Sequence, residues 1–317
     1  MRDLTARVRL FWAAFFGGTM QRMTLSLRHG LTIAAIGIFI GVVVAYAALA
    51  SFGAVELLLA QWRPNEDLLK VGFRGLHLNW LLIPILAGLA IGALLKWLAP
   101  QPPVELADVI HAAHKPDPQI SRTGGYISLL KSVLALGGGS PTGLYGPLVV
   151  LGASLAASMK RFTHLSPQFG EMALGAGVAA AISAAFAAPL AGILFAHEVV
   201  LRHYSLRFFA PVTLASASAY VFSGEVLNQH IVMLPILSTR MAGPVDIFLL
   251  LLLGVAAGLL AVALMRGLDA LRARMVALAL PLWARPVMAG LAVGLLAHFA
   301  PGILGPGLDV IPPCAGR

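Results

Sequence analysis

The sequence predicts an all-α protein that crosses a membrane several times, with short, broken or re-entrant helices and an internal repeat. Three observations carry this. Hydrophobic residues make up 59% of the 317 positions and charged residues only 11%, with a mean hydropathy of +0.88. Average soluble domains carry about 25% charged residues, so a soluble chain this apolar could not cover its surface. Apolar runs at Leu31–Ala60, Leu78–Leu98 and Ile247–Met265 reach or approach the roughly 20 residues a bilayer span needs. They are continuous rather than alternating, so helices, not a closed barrel, satisfy the backbone in lipid. Third, the apolar segments between residues 126 and 203 are interrupted by Gly and Pro.

Taken in order, residues 1–29 read as an amphipathic helix at the cytoplasmic surface. The first span covers Thr32 to Ala60 and carries Gly37 and Gly41. A polar stretch, Gln61–Leu76, leads to a second span, His77–Leu98, with Gly88 and Gly92. Glycines four apart let helices approach closely. Residues from Pro100 to Gly125 are polar and Pro-rich and are expected to face the cytoplasm.

The helices then shorten. Tyr126–Leu136 stops at Gly137-Gly138-Gly139, and Leu148–Met159 stops at Lys160-Arg161. Between them lies a loop with Pro141, Gly143, Gly146 and Pro147. Glu171–Ala188 is Ala-rich and ends at Pro189; Leu190–His203 and Phe208–Phe222 follow. Residues 223–243 form a connecting loop before a long helix, about Val245–Arg274, and a last span, about Leu282–Ala300. Broken helices are tolerated at membrane depth only where the backbone lines a polar cavity. Their N-terminal ends carry unpaired N–H groups and a positive dipole end. An anion suits such an end.

Charge placement points to topology. Arg2, Arg7, Arg9, Arg22 and Arg28 precede the first span, and Arg266, Arg272, Arg274 and Arg285 lie between two later ones. Both clusters read as cytoplasmic, so the net charge of +9 is a positive-inside signature rather than a nucleic-acid surface. The expected setting is the cell membrane, multi-pass, N-terminus cytoplasmic, with the lipid bilayer as partner. A single cysteine, Cys314, permits no intramolecular disulfide. His197-Glu198 opens like a zinc-protease motif, but position 201 is Leu. Asp108, His111 and His114 read as a solvated segment rather than a metal site, which usually takes four ligands. No Walker-type loop and no Ser/His/Asp order suggests an enzyme.

The repeat is internal. Ala87-Gly88-Leu89-Ala90-Ile91-Gly92 recurs as Ala289-Gly290-Leu291-Ala292-Val293-Gly294, an offset of 202 residues (289 − 87). Each copy runs on to an aromatic residue, Ala-Pro, and later Asp-Val-Ile. Internal repeats mark many transporter folds. The counterpart of Tyr145 would fall near position 347 (145 + 202), beyond Arg317. The second repeat, residues 244–317, is therefore expected to be incomplete, following a first repeat over 30–222.

Gly143-Leu144-Tyr145-Gly146-Pro147 resembles the Gly-Arg/Lys-Glu-Gly-Pro motif of the CLC family of chloride channels and transporters. Phe186-Ala187-Ala188-Pro189-Leu190-Ala191-Gly192-Ile193-Leu194-Phe195 is similar to that family's Phe-Asn-Ala-Pro-Leu-Ala-Gly-Ile-Leu-Phe segment, and Glu198 follows at family spacing. The resemblance implies a helical fold with inverted repeats and a homodimer in which each subunit holds its own pore. It implies chloride or a similar anion as the transported ion, with no cofactor. The pore residues it implies are Gly143, Leu144, Tyr145, Gly146 and Pro147, with Gln101 weakly matched to the family's chloride-contacting serine.

Tyr145 replaces the family's gating glutamate, and Val199 stands where its inner proton-carrying glutamate belongs. Tyr, with an ordinary pKa near 10, does not cycle protons near neutral pH. The expected activity is therefore passive, channel-like anion conduction with Tyr145 as gate. Alternatives are an anion/proton antiporter with another proton path, and a non-conducting fragment or assembly partner. A plainer role for Tyr145 is packing in a loop. Glu198, with Val199 beside it, reads as a polar-pathway residue, or as a carboxylate paired with His197, Arg202 or His203, because carboxylates in apolar helices are costly.

Overall fold

The computed structural model describes residues 2–62, 78–98, 104–115, 120–163, 167–226, 244–278 and 280–307. Gln101 and nearly all of the 223–243 connection lie outside them. The helices are α1 (Arg2–Trp62), α2 (Leu78–Leu98), α3 (Leu106–Ala113), α4 (Arg122–Gly137), α5 (Tyr145–Thr163), α6 (Pro167–Phe186), α7 (Pro189–Phe195), α8 (Leu206–Val221), α9 (Pro244–Ala277) and α10 (Ala284–Phe299). Two single-turn π segments, Ala196–Leu201 and Phe222–Val226, extend α7 and α8. The amphipathic N-terminal stretch and the first span, expected as separate helices, form one continuous helix in α1. Helix α5 begins at Tyr145, three residues before the expected start. Pro147 sits in its first turn, where N–H groups have no intrahelical acceptor, so Pro is tolerated there.

Among the described residues, four helices are long and apolar enough to cross a membrane: Gly30–Trp62, Leu78–Trp97, Phe169–Phe186 and Val245–Ala277. Tyr145–Met159, Pro189–Leu201 and Ala284–Phe299 are apolar but shorter.

The chain divides into two compact units, interleaved along the sequence. Unit 1 comprises residues 1–52, 103–129 and 145–232. At its centre is α6, where Ala173, Ala176, Ala179, Ala180 and Ala181 are fully buried. Small side chains bring the neighbouring helices close, which is how helices associate in lipid without a hydrophobic driving force. A Cβ on Gly152 of α5 would lie 2.5 Å from the Gly177 carbonyl of α6. Likewise, a Cβ on Gly37 of α1 would lie 2.7 Å from the Pro211 carbonyl of α8. Buried hydroxyls pair with backbone: Ser183 Oγ donates to the Ser216 carbonyl (2.6 Å), and Ser216 Oγ to the Pro189 carbonyl (2.8 Å). Helix α3 opens on a capping box in which the Asp108 carboxylate accepts from the Glu105 N–H at 2.8 Å. That role leaves Asp108 a structural cap.

Unit 2 comprises residues 53–102, 130–144 and 233–317. Its main contact is α2 against α10, the two copies of the repeated hexapeptide. A Cβ on Gly88 would lie 2.5 Å from the Pro286 carbonyl, and one on Gly290 would lie 2.7 Å from the Pro84 carbonyl carbon. Further along, Gly92 faces Trp283 and Gly294 faces Leu81. Numbers rise on one helix as they fall on the other, so the pair is antiparallel. Pro84 and Pro286 are themselves one repeat offset apart (286 − 84 = 202). Each copy therefore lays its glycine on the other's proline, the reciprocity of an approximate two-fold, and the repeat is inverted. Trp62 Nε1 donates to the Gly137 carbonyl (2.9 Å), and the Gly305 N–H to the Gly139 carbonyl (2.9 Å). Gly139 has φ +85°, the left-handed region that favours glycine. Among the described residues none buries helix α9 between Val245 and Ala277, where nearly every side chain is exposed.

Candidate functional site

The Gly143–Pro147 motif joins a segment without regular secondary structure to a helix. Residues 141–143 are neither helix nor strand, Leu144 is buried, and Tyr145 opens α5. Gly143 and Gly146 are exposed, and a Cβ on either would meet nothing within 4 Å. Gly146 is therefore not required by packing within the described structure. Its bareness leaves the first backbone amides of α5 open to approach. The N–H groups of Tyr145 and Gly146 have no intrahelical acceptor, and Pro147 contributes none. A helix N-terminus carries roughly half a positive charge. Two bare amides on a dipole end can hold an anion without the trapping strength of a full cation.

Tyr145 is half-buried. Its ring stacks on Phe186 (centroids 4.4 Å apart, 26° between planes) and tilts against Phe52 (6.0 Å, 51°). Offset aromatic pairs of this kind contribute about 0.5–1.5 kcal/mol beyond area burial. The Tyr145 ring is thus fixed at the end of α5 rather than loose in a loop. Sequence reasoning missed both partners. Phe186 was visible as the first residue of the Phe186–Phe195 segment, whereas Phe52 carries no sequence signal.

Just after Phe186, Ala187 has φ +51°, a left-handed conformation uncommon for a residue with a Cβ. Asn tolerates that region far better. The strain sits between the Tyr145 stack and the start of α7, where Pro189 occupies the first helical position.

Glu198 and Val199 lie in the π segment Ala196–Leu201, whose hydrogen bonds run i to i+5. Val199 is half-buried and Glu198 exposed. Of the partners expected for Glu198, none is the one found. Tyr204 Oη donates to Glu198 Oε1 at 3.0 Å. That bond pushes the Tyr204 phenol up from its ordinary value, with smaller contributions from desolvation and the Glu198 charge. His203 turns instead to Glu171, Nε2 to Oε1 at 2.6 Å. Glu198 is nine residues beyond Pro189, a rise of about 13 Å along a helix, so the two ends of this segment serve different places. Among the described residues, no three His, Cys, Asp or Glu side chains come together to hold a metal.

The family model described as voltage gated chloride channel matches residues 87–315. The chain belongs to the voltage-gated chloride channel family. Within it, the chain is 32% identical over 292 residues to the voltage-gated ClC-type chloride channel ClcB of Escherichia coli K12, covering 89% of this chain and 68% of that one. Its fold matches two solved CLC structures. One is a slow cyanobacterial Cl⁻/H⁺ antiporter, with TM-score 0.71, 18% identity, and coverage of 86% of this chain and 65% of that one. The other is a CLC-type fluoride/proton antiporter, with TM-score 0.72, 20% identity, and coverage of 89% and 69%. This CLC chain thus spans about two thirds of the length of each. It is a multi-pass membrane protein, and the fold class read from its sequence is the one it adopts.

Proposed function

We propose that this CLC protein conducts chloride or a similar anion passively across the cell membrane, without proton coupling. The observation that carries the reading is Tyr145. The first residue of α5 is a phenol held by Phe186 and Phe52, not a carboxylate. A group that stays neutral near pH 7 cannot carry a proton against each anion. Val199 adds support, because the inner position is apolar as well. Gly143, Leu144, Gly146 and Pro147 shape the anion's approach, Gln101 adds an amide donor, and Glu198 lies on a polar pathway. The working unit is a homodimer with a pore in each subunit, and the N-terminus is cytoplasmic.

One observation favours a second reading. Both structural neighbours described above are proton-coupled antiporters, so a different proton path in this chain would make it one too. Reconstitution in liposomes separates the readings. Chloride efflux with no accompanying proton movement supports passive conduction. Proton movement in fixed ratio to chloride, and opposite in direction, would sink it. An absence of chloride flux from the 317-residue chain would favour a non-conducting assembly partner instead.

A further inference from the structure

The α2/α10 pair of unit 2 ends in two exposed aromatic residues. Trp97, in the last turn of α2, is 84% exposed, and Phe299, which closes α10, is 85% exposed. They are one repeat offset apart (299 − 97 = 202), as are their neighbours Lys96 and His298 (298 − 96 = 202), both exposed. Because the helices are antiparallel, equivalent positions fall at opposite ends of the pair. Their separation follows from the contact of Gly88 with Pro286. Trp97 lies nine residues beyond that contact along α2 (97 − 88). Phe299 lies thirteen residues beyond it along α10 (299 − 286), in the opposite direction. At 1.5 Å per residue the two positions are about 33 Å apart along the pair. The hydrocarbon core of a bilayer is about 30 Å thick.

Between these ends the exposed surface is apolar. Leu82, Leu86 and Leu89 of α2 and Met288, Leu295 and Leu296 of α10 are all exposed. Helix α2 carries no charged residue before Lys96. In α10, Arg285 stands in the first turn, beside the α2 end that carries Trp97. Its Nε donates to the Leu280 carbonyl (3.3 Å), in the connection that precedes α10. The guanidinium is thus turned out of the apolar band, towards the Trp97 end. Long basic side chains at a membrane boundary behave in this way, stem in the apolar layer and head in the polar one.

We propose that Lys96–Trp97 and His298–Phe299 are a matched pair of lipid anchors, which seat α2 and α10 in the two headgroup layers of a phospholipid bilayer. An indole or phenyl ring at the end of a span suits the boundary between chains and headgroups, and the Trp97 indole adds an N–H for a lipid ester or phosphate oxygen. The Lys96 ammonium and the Arg285 guanidinium give the Trp97 end its preference for phosphate, and for the leaflet richer in anionic lipid. At the other end His298 meets Phe299 edge to face (5.7 Å, 76°). Sliding the pair along the membrane normal would draw one anchor into hydrocarbon and push leucines at the other end into water. The two anchors therefore fix its depth.

The inference does not rest on anion transport, and neither does its test. The full chain, with Cys314→Ser, is placed in bilayers of phosphatidylcholine and phosphatidylglycerol. Trp97→Cys, Phe299→Cys and Leu86→Cys each take one nitroxide label. Collisions with oxygen, which concentrates in hydrocarbon, are compared with collisions with a water-soluble nickel chelate. Leu86 lies eleven residues from Trp97 (97 − 86), midway between the anchors, and is 59% exposed. Its label should give the high oxygen-to-nickel ratio of the bilayer centre. Labels at Trp97 and Phe299 should both give a ratio several-fold lower, that of the headgroup boundary. A ratio at either end as high as at Leu86, nickel collisions at either end as frequent as in free water, or an end label shielded from both reagents by protein overturns the proposal. Should Trp97→Cys or Phe299→Cys fail to fold, Lys96→Cys or His298→Cys, at the exposed neighbouring positions, decides by the same ratios.

Discussion

Tyr145 and Ala187 meet at one residue, Phe186: Tyr145 stacks on its ring and Ala187 follows it in the chain. Tyr145 is held by ring contacts with Phe186 and Phe52, so removing the Phe186 ring should free it. Phe186→Ala is expected to change single-subunit anion conductance several-fold, while Phe186→Tyr, which keeps the stack, should not; planar-bilayer recording distinguishes them. Tyr145→Glu places a titratable carboxylate over the α5 amides. Anion flux should then rise more steeply than in the parent as pH falls through the ordinary carboxylate range, because the ionised group repels the anion and the protonated one does not. A flux–pH curve in liposomes reads this directly. Ala187 holds φ +51° at a cost of about 1–2 kcal/mol for a residue with a Cβ. Ala187→Asn should recover about 1 kcal/mol, seen as a higher thermal midpoint in detergent. The motif around Tyr145 was legible because the Phe186–Phe195 segment and the internal repeat accompany it. Its ring partners were not, since an aromatic in an apolar helix is indistinguishable from core until the helices are packed.

At the scale of elements, the antiparallel α2/α10 pair depends on four glycines, each against a backbone of the other helix. Backbone cannot rotate away as a flexible side chain can. Gly88→Leu or Gly290→Leu is therefore expected to destabilise unit 2 by about 1–3 kcal/mol or more. The same change at Gly254 or Gly258, where a Cβ meets nothing within 4 Å, should be nearly silent. Comparing melting of the four variants tests this. The repeat itself was readable from the hexapeptide, identical at five of its six positions, and Pro84 with Pro286 would have extended it. Helix boundaries were less readable. The fusion of residues 2–62 into one helix was missed although no Pro separates the polar stretch from the span. The π segment at Ala196–Leu201 was likewise invisible, because apolar spacing does not distinguish i+4 from i+5 bonding over six residues.

For the whole molecule, composition alone established the solvent. A chain that is 59% hydrophobic needs lipid, and α9 shows where it is needed most. Among the described residues nothing buries its apolar side chains, and a helix apolar on every face suits a membrane span. Leu251→Arg should impair membrane integration of α9 by about 2.5–3.5 kcal/mol, measurable in a glycosylation-based insertion assay. What composition could not supply was pairing: it distinguishes neither α6, buried among alanines, from α9, nor Glu198's phenol partner from the histidines beside it.

The Gly-on-Pro contact between α2 and α10 has one more consequence. A surface that fits its own copy turned upside down needs only one design. Two separate half-length chains of this kind, inserted in opposite senses, would already meet along it. Joining them end to end would add no new contact, only a fixed ratio of one orientation to the other. Each half would also need to tolerate both orientations, so its flanking arginines would have to be few enough to leave the choice open. The two basic clusters of the present chain would then be the record of that choice having been made.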